Sequence, residues 1–226
     1  MRTLLFDIDG TLLTAHGGGR RAMLRTLREE FGLEDPEMVG SFHGRTDMGL
    51  MAQMLEMNGL EPTEQRRRRF RVGYAERFPG ELQRSGGEVF VGVAELLKAL
   101  APARSCRLAS MTGNLPETAT RKLEHFHLRH YIQWIVGGDL DAQRNDLASR
   151  TLDTIRRRHG DDACRDVVVI GDTVADIVCA RHIGASVVAV CTGGETYEEL
   201  SAAGPDAIWH DFSDHQGVAD CLLGDL

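Results

Sequence analysis

The chain has 226 residues, 42% of them hydrophobic and 27% charged, ordinary proportions for one large globular domain or a core with an insertion. Its net charge of −8 argues against sequence-independent binding to nucleic acid or anionic membrane, both of which need basic faces. No apolar run approaches the ~20 residues of a membrane helix, the acidic DIDG cuts short any signal peptide, and five dispersed cysteines suit reduced thiols. The expectation is a soluble, cytoplasmic protein.

Residues 3–7 read as a short buried strand, ending on two aspartates, Asp7 and Asp9, just before Gly10. A helix is predicted over 20–31, with Met23, Leu27 and Phe31 on one stripe and Gly32 as its C-terminal cap. His16 and the three glycines after it suit a flexible link into that helix. Further helices are predicted over 47–57, ended by Asn58-Gly59, and over 63–78, ended by Pro79-Gly80. Residues 15–87 thus form an all-helical insertion. From about Glu88 the pattern alternates: helix 93–100, strand 106–111, helix 116–126, strand 133–136, helix 146–159, strand 167–170, helix 175–183 and strand 186–190. A helix over 196–203 and a strand over 206–209 complete it. Such alternation implies an α/β fold, a doubly wound parallel sheet covered on both faces, built from residues 1–14 and 88–226.

Three polar clusters each follow an apolar strand: DIDGT at 7–11, TGN at 112–114 and GDTVAD at 171–176. In a parallel sheet they converge on one edge, where such folds bind ligands. There they gather four carboxylates, a threonine hydroxyl and glycine-loop amides. Hard oxygen ligands suit magnesium and backbone N–H groups suit phosphoryl oxygens, which answers why carboxylates would crowd together.

In this order the three clusters resemble the haloacid dehalogenase-like hydrolase superfamily, and the insertion after the first is similar to its helical-cap subgroup, which includes phosphoglycolate phosphatases and β-phosphoglucomutases. The resemblance implies a Rossmann-like core with a cap over 15–87 and a Mg2+-dependent phosphatase acting on a small phosphorylated metabolite. It implies Asp7 as the nucleophile that forms an aspartyl-phosphate and Asp9 as the general acid–base. Thr112, Gly113 and Asn114 would bind phosphate. Magnesium would be held by Asp7, Asp172 and the main-chain carbonyl of Asp9, with Asp176 orienting that shell. The family's usual lysine after the second motif is missing. Lys122, one of only two lysines, is expected to lie too far along its helix. Arg144, read as a loop residue, is the expected substitute, ahead of Arg150 inside the following helix.

Simpler readings compete. Asp176 alone could be a helix-dipole residue and Thr112 a turn cap. The arginines at 66–69 and 71 read as a solvated face or electrostatic steering for an anion. In the insertion, His43 and Arg45 are the candidates for substrate contact, although Thr46 or Asp47 could simply cap a helix. Asp9 argues against a dehalogenase, and the absence of lysine from residues 15–87 against a phosphonatase. A sugar-phosphate mutase would use the same aspartates, and a phospho-aspartate signalling protein is a more distant alternative. Oligomeric state is open.

Overall fold

The computed structural model describes residues 1–224; residues 225 and 226, the end of the expected core, lie outside the described residues. Six parallel strands form one sheet: β1 (Arg2–Phe6), β4 (Cys106–Thr112), β5 (Ile135–Gly137), β6 (Val167–Gly171), β7 (Ser186–Val190) and β8 (Ala207–Trp209). Their order is β5-β4-β1-β6-β7-β8. The first strand is therefore central, with Leu4 registered against Leu108 on one side and Val168 on the other.

Period-two alternation decides which side chains face which layer. Leu4 and Phe6 point into one apolar layer, shared with α4 (Val93–Leu100), α5 (Pro116–His125) and α9 (His215–Leu223). Leu5, Ala109 and Val169 point into the other, packed by α6 (Arg144–His159), α7 (Val174–His182) and α8 (Tyr197–Ala202). Both faces are covered, so the strands need no polar side and read as continuous apolar runs. This is the doubly wound α/β architecture expected. Sequence order reverses at β1, between β4 and β6, and opens a crevice at the carboxyl edge there.

Among the described residues 15–87, none belongs to that sheet. They hold α1 (Gly18–Phe31), α2 (Asp47–Met57) and α3 (Glu64–Ser85) around a third apolar cluster that includes Met23, Leu27, Met54, Phe70 and Tyr74. Thr46 caps α2 by accepting from the Gly49 amide, and Gly32 closes α1 with a left-handed φ of 70°.

Two local expectations need correction. The helix expected to stop at Phe78 runs through Pro79 to Ser85. A proline inside a helix removes a hydrogen bond and costs about 3 kcal/mol. Here Phe78 and Leu82, fully buried on either side of it, hold the two halves in line. The glycines expected as a link instead begin α1: Gly18 and Gly19 are its first residues. The sequence also gave no sign of β2 (Leu13–Thr14) and β3 (Glu88–Val89), a two-residue antiparallel ribbon where the chain leaves and re-enters the α/β layers. Ser85 Oγ reinforces it by donating to the Ala15 carbonyl at 3.0 Å.

Candidate active site

The carboxyl ends of β1, β4 and β6 bring the three polar clusters together: the first two line a cleft of about 600 Å³, and Asp172 and Asp176 of the third lie against Asp7 at its floor. Asp7 follows β1, its amide held by the Ile170 carbonyl at 2.9 Å. Gly10 makes the turn beyond it with φ of 85°, and a Cβ there would stand 2.2 Å from Asp172 Oδ2. Only glycine permits both that backbone conformation and that approach.

Asp7, Asp172 and Asp176, all buried, present oxygens within 4.8 Å of one another. Asp172 Oδ1 accepts from the Thr11 hydroxyl at 2.9 Å. Asp7 Oδ1 and Asp172 Oδ2 are buried without a hydrogen-bond partner among the described residues. One Asp176 oxygen does close a capping box, accepting from the Thr173 amide at 3.1 Å and hydroxyl at 2.6 Å. The other meets Arg144. Asp176 is thus both a helix cap and a member of the cluster, so the two readings of it are compatible.

Arg144 is the first residue of α6 rather than a loop residue, and its guanidinium lies 3.3 Å from Asp7 while also contacting Asp176. Three carboxylates face this one cation, a surplus of two negative charges. Burial pushes the Asp7 carboxyl up to about 6, against the pull of Arg144. Burial, then Asp176 and Asp7, raise Asp172 well above the usual carboxylate range. A divalent cation matches both the surplus and the hard oxygen donors. Arg150 turns elsewhere, to Asp141 at 2.6 Å and to the Gly137 carbonyl.

Asp9 stands apart from this cluster. Its Oδ2 accepts from Asn114 Nδ2 at 2.6 Å and from Lys122 Nζ at 2.5 Å. The expectation that Lys122 lies too far along its helix is therefore wrong. Side chains on a helix lean toward its N-terminus, so a long lysine on the buried stripe reaches back across two turns. The sequence signal was its place beside Ala119 and Leu123 on an otherwise apolar face. Thr112 Oγ1 accepts from Asn114 Nδ2 at 2.8 Å, which leaves its own proton free to donate into the cleft.

From the helical insertion, His43, Arg45 and Arg20 line the same cleft. Arg45 is paired with Gln53 Oε1 at 2.6 Å, and its carbonyl lies so close to Gly113 that a Cβ there would stand 1.9 Å away. Asp47, read as a cap, is a buried bridge instead. Its amide donates to the Gly113 carbonyl at 2.6 Å and its Oδ2 accepts from the Leu115 amide at 2.7 Å. Burial pushes its carboxyl up to about 7, partly offset by Lys122. Arg71 is also no simple solvated residue. It forks onto Glu117 at 2.9 and 3.2 Å and reaches Asp139 at 3.3 Å, tying α3 to the α/β layers.

A central parallel strand whose end carries paired aspartates, with a cation and a threonine loop beside them, defines a class of α/β hydrolytic enzymes. The family model for haloacid dehalogenase-like hydrolases matches residues 1–184. A probable phosphatase IndB from Dickeya dadantii is 29% identical, the match covering 97% of this chain and 94% of that one. A phosphoglycolate phosphatase from Rhodospirillum rubrum is 32% identical over 94% of this chain and 88% of its own. Among solved structures, CbbY from Rhodobacter sphaeroides in complex with phosphate superposes with a TM-score of 0.74 at 19% identity, covering 95% and 96% of the two chains. The chain belongs to the haloacid dehalogenase-like hydrolases and is an enzyme of phosphatase type. Among the described residues, no helix is long and apolar enough to cross a membrane.

Proposed function

We propose that the protein is a magnesium-dependent phosphatase that hydrolyses a small phosphomonoester through an aspartyl-phosphate on Asp7, in the manner of a phosphoglycolate phosphatase. The observation that carries this reading is the separation of the two aspartates. Asp7 sits in the anionic cluster beside Arg144, whereas Asp9 is held by Lys122 and Asn114 on the more open side. Two carboxylates in such different surroundings suit two different tasks.

In the first step an Asp7 oxygen attacks phosphorus as the ester P–O bond breaks, and protonated Asp9 gives its proton to the departing oxygen. In the second, water attacks the acyl phosphate. Asp9 takes the water proton, and Asp7 is released together with inorganic phosphate. Arg144, which lines the cleft, and the Thr112 hydroxyl proton support phosphoryl oxygens, with the Gly113 and Asn114 amides beside them. The residues fit a magnesium ion: Asp7 and Asp172 would hold it with the Asp9 main-chain carbonyl, Asp176 orienting the set. When bound it supplies positive charge that draws the phosphoryl oxygens among the carboxylates.

Residues 15–87 act in this reading as a cap over a core of 1–14 and 88–226, with His43 and Arg45 meeting the rest of the substrate. The substrate is a small phosphorylated metabolite rather than nucleic acid or membrane. Five free cysteines support a reducing, cytoplasmic setting. The test is phosphate release from a panel containing 2-phosphoglycolate, alkyl phosphates and hexose phosphates, with magnesium or with excess chelator. Magnesium-dependent release supports the proposal. Undiminished activity in chelator refutes the metal assignment, and isomerisation of hexose phosphates without phosphate release makes the protein a mutase.

A further inference from the structure

We propose that Lys122 is the positioning residue of the acid–base group: with Asn114 it clamps one oxygen of Asp9 so that the other faces the leaving group. The inference rests on the role assigned to Asp9 above and adds a residue to it.

Asp9 carries a side chain 41% exposed, hence one that would sample several rotamers if left alone. Its Oδ2 receives two donors, Lys122 Nζ and Asn114 Nδ2. Among the described residues, Oδ1 has no hydrogen bond. Lys122 Nζ also donates to Asn114 Oδ1 at 2.6 Å, so lysine, asparagine and aspartate each touch the other two. That closed ring leaves none of the three free to rotate without breaking two contacts. The Asn114 amide extends it to Thr112, which links the acid–base group to the phosphate-binding hydroxyl.

The lysine sits where an apolar residue would ordinarily be. Its side chain is 5% exposed, Ala119 and Leu123 flank it on the buried stripe, and the Phe78 ring of α3 lies 5.5 Å from Nζ. Burying an ammonium carries a desolvation penalty that a leucine there would avoid. The charge that compensates is Asp9, with buried Asp47 of α2 acting at longer range. Arg144 cannot serve Asp9, because its guanidinium is turned to Asp7 and Asp176. The site therefore uses two cations, one for each of the aspartates that open it. Phe78 comes from the helical insertion, so the apolar cover over Lys122, though not the ring itself, depends on that insertion packing on the α/β layers.

The experiment compares kcat/KM for 4-nitrophenyl phosphate, whose leaving group departs unprotonated, with kcat/KM for a simple alkyl phosphate, whose leaving group needs a proton. This parameter ends at the first irreversible step, so slow breakdown of the phosphoenzyme does not enter it. Lys122→Met should lower the alkyl-to-aryl ratio tenfold or more, a part of the 10²–10⁴-fold that general acid catalysis typically supplies. Lys122→Arg should restore part of the ratio. Should the methionine variant not fold, Lys122→Gln, which keeps a polar head without charge, carries the same test. Equal losses on both esters, or a change confined to KM, would make Lys122 a structural or substrate-binding residue and overturn the proposal. Asp9→Asn separates the two readings: if it leaves the ratio intact, the acid–base assignment itself fails, and if wild-type enzyme hydrolyses neither ester, both fall.

Discussion

Replacing Arg144 by alanine removes the one cation that, among the described residues, faces Asp7, Asp172 and Asp176 together. At the 3.3 Å separation from Asp7 and an effective dielectric of about 20, the gross attraction is roughly 5 kcal/mol, with the Asp176 contact additional. Much of it offsets the desolvation of a guanidinium whose side chain is 8% exposed, so the net loss expected on breaking such a buried pair is about 3–5 kcal/mol. For catalysis the relevant scale is one preorganised group aimed at developing charge, roughly 10²–10³ in rate. Arg144→Ala should therefore cost aryl phosphate hydrolysis about a hundredfold or more in kcat/KM at saturating magnesium. Arg144→Lys should recover only part: Asp7 and Asp176 both meet the single nitrogen Nη2, which an ammonium can imitate, but lysine lacks the guanidinium's remaining donors and its fixed plane. Arg150→Ala should be much milder, since its contacts are with Asp141 and the Gly137 carbonyl. Steady-state assays of the three variants, with circular dichroism to verify folding, decide the matter. An Arg144→Ala enzyme within a few-fold of wild type, beside an Arg150→Ala enzyme that is nearly dead, would refute the reasoning.

Asp7→Asn should fold and show no turnover, while Asp9→Asn should accumulate hydroxylamine-labile phosphate; near-normal turnover by either would overturn the two roles. Asp47 gives a stability prediction. Its folded pKa of about 7 lies above the ordinary carboxylate value, so between about pH 4 and 7 the folded state binds more protons than the unfolded one. Its contribution is fully present below that window and is lost as pH rises through it, up to roughly 4 kcal/mol at about 1.4 kcal/mol per unit. Urea midpoints at pH 5 and 8, taken in chelator, should converge for Asp47→Asn relative to wild type; parallel pH dependence in the two proteins would exclude this account.

The α/β alternation was legible because β1, β6 and β7 are continuous apolar runs, each followed by a polar cluster or a helix signal. The gathering of Asp7, Thr112 and Asp172 followed from parallelism alone: strands pointing one way must place their ends together. What escaped had physical reasons. Two-residue strands such as Leu13–Thr14 are too short to display a period. Pro79 carried a strong stop signal that the burial of Phe78 and Leu82 overrode, and tertiary packing cannot be read from one segment. Distance along the helix sets Lys122 too far from the site, whereas its reach back toward the N-terminus decides its partners. Asp47 displays every feature of a helix-starting residue, and only the folded chain brings Leu115, 68 residues further on, against its carboxylate.

The central place of β1 also governs the order in which the molecule can be assembled. Leu4 needs both Leu108 and Val168 beside it, so the first strand made is among the last to gain its neighbours. During synthesis that apolar segment must wait unpaired until β4 emerges, and with one edge still open until β6 follows. The helices between Gly18 and Ser85 meet less delay, because α1 and α3 pack on one another and build most of their apolar cluster from nearby sequence, Leu115 joining later. Local contacts form faster than distant ones. The helical insertion is thus the natural early-folding unit, with the sheet closing around β1 afterwards. In a nascent or truncated chain ending before Val167, one edge of β1 stays exposed, and aggregation is expected to begin there.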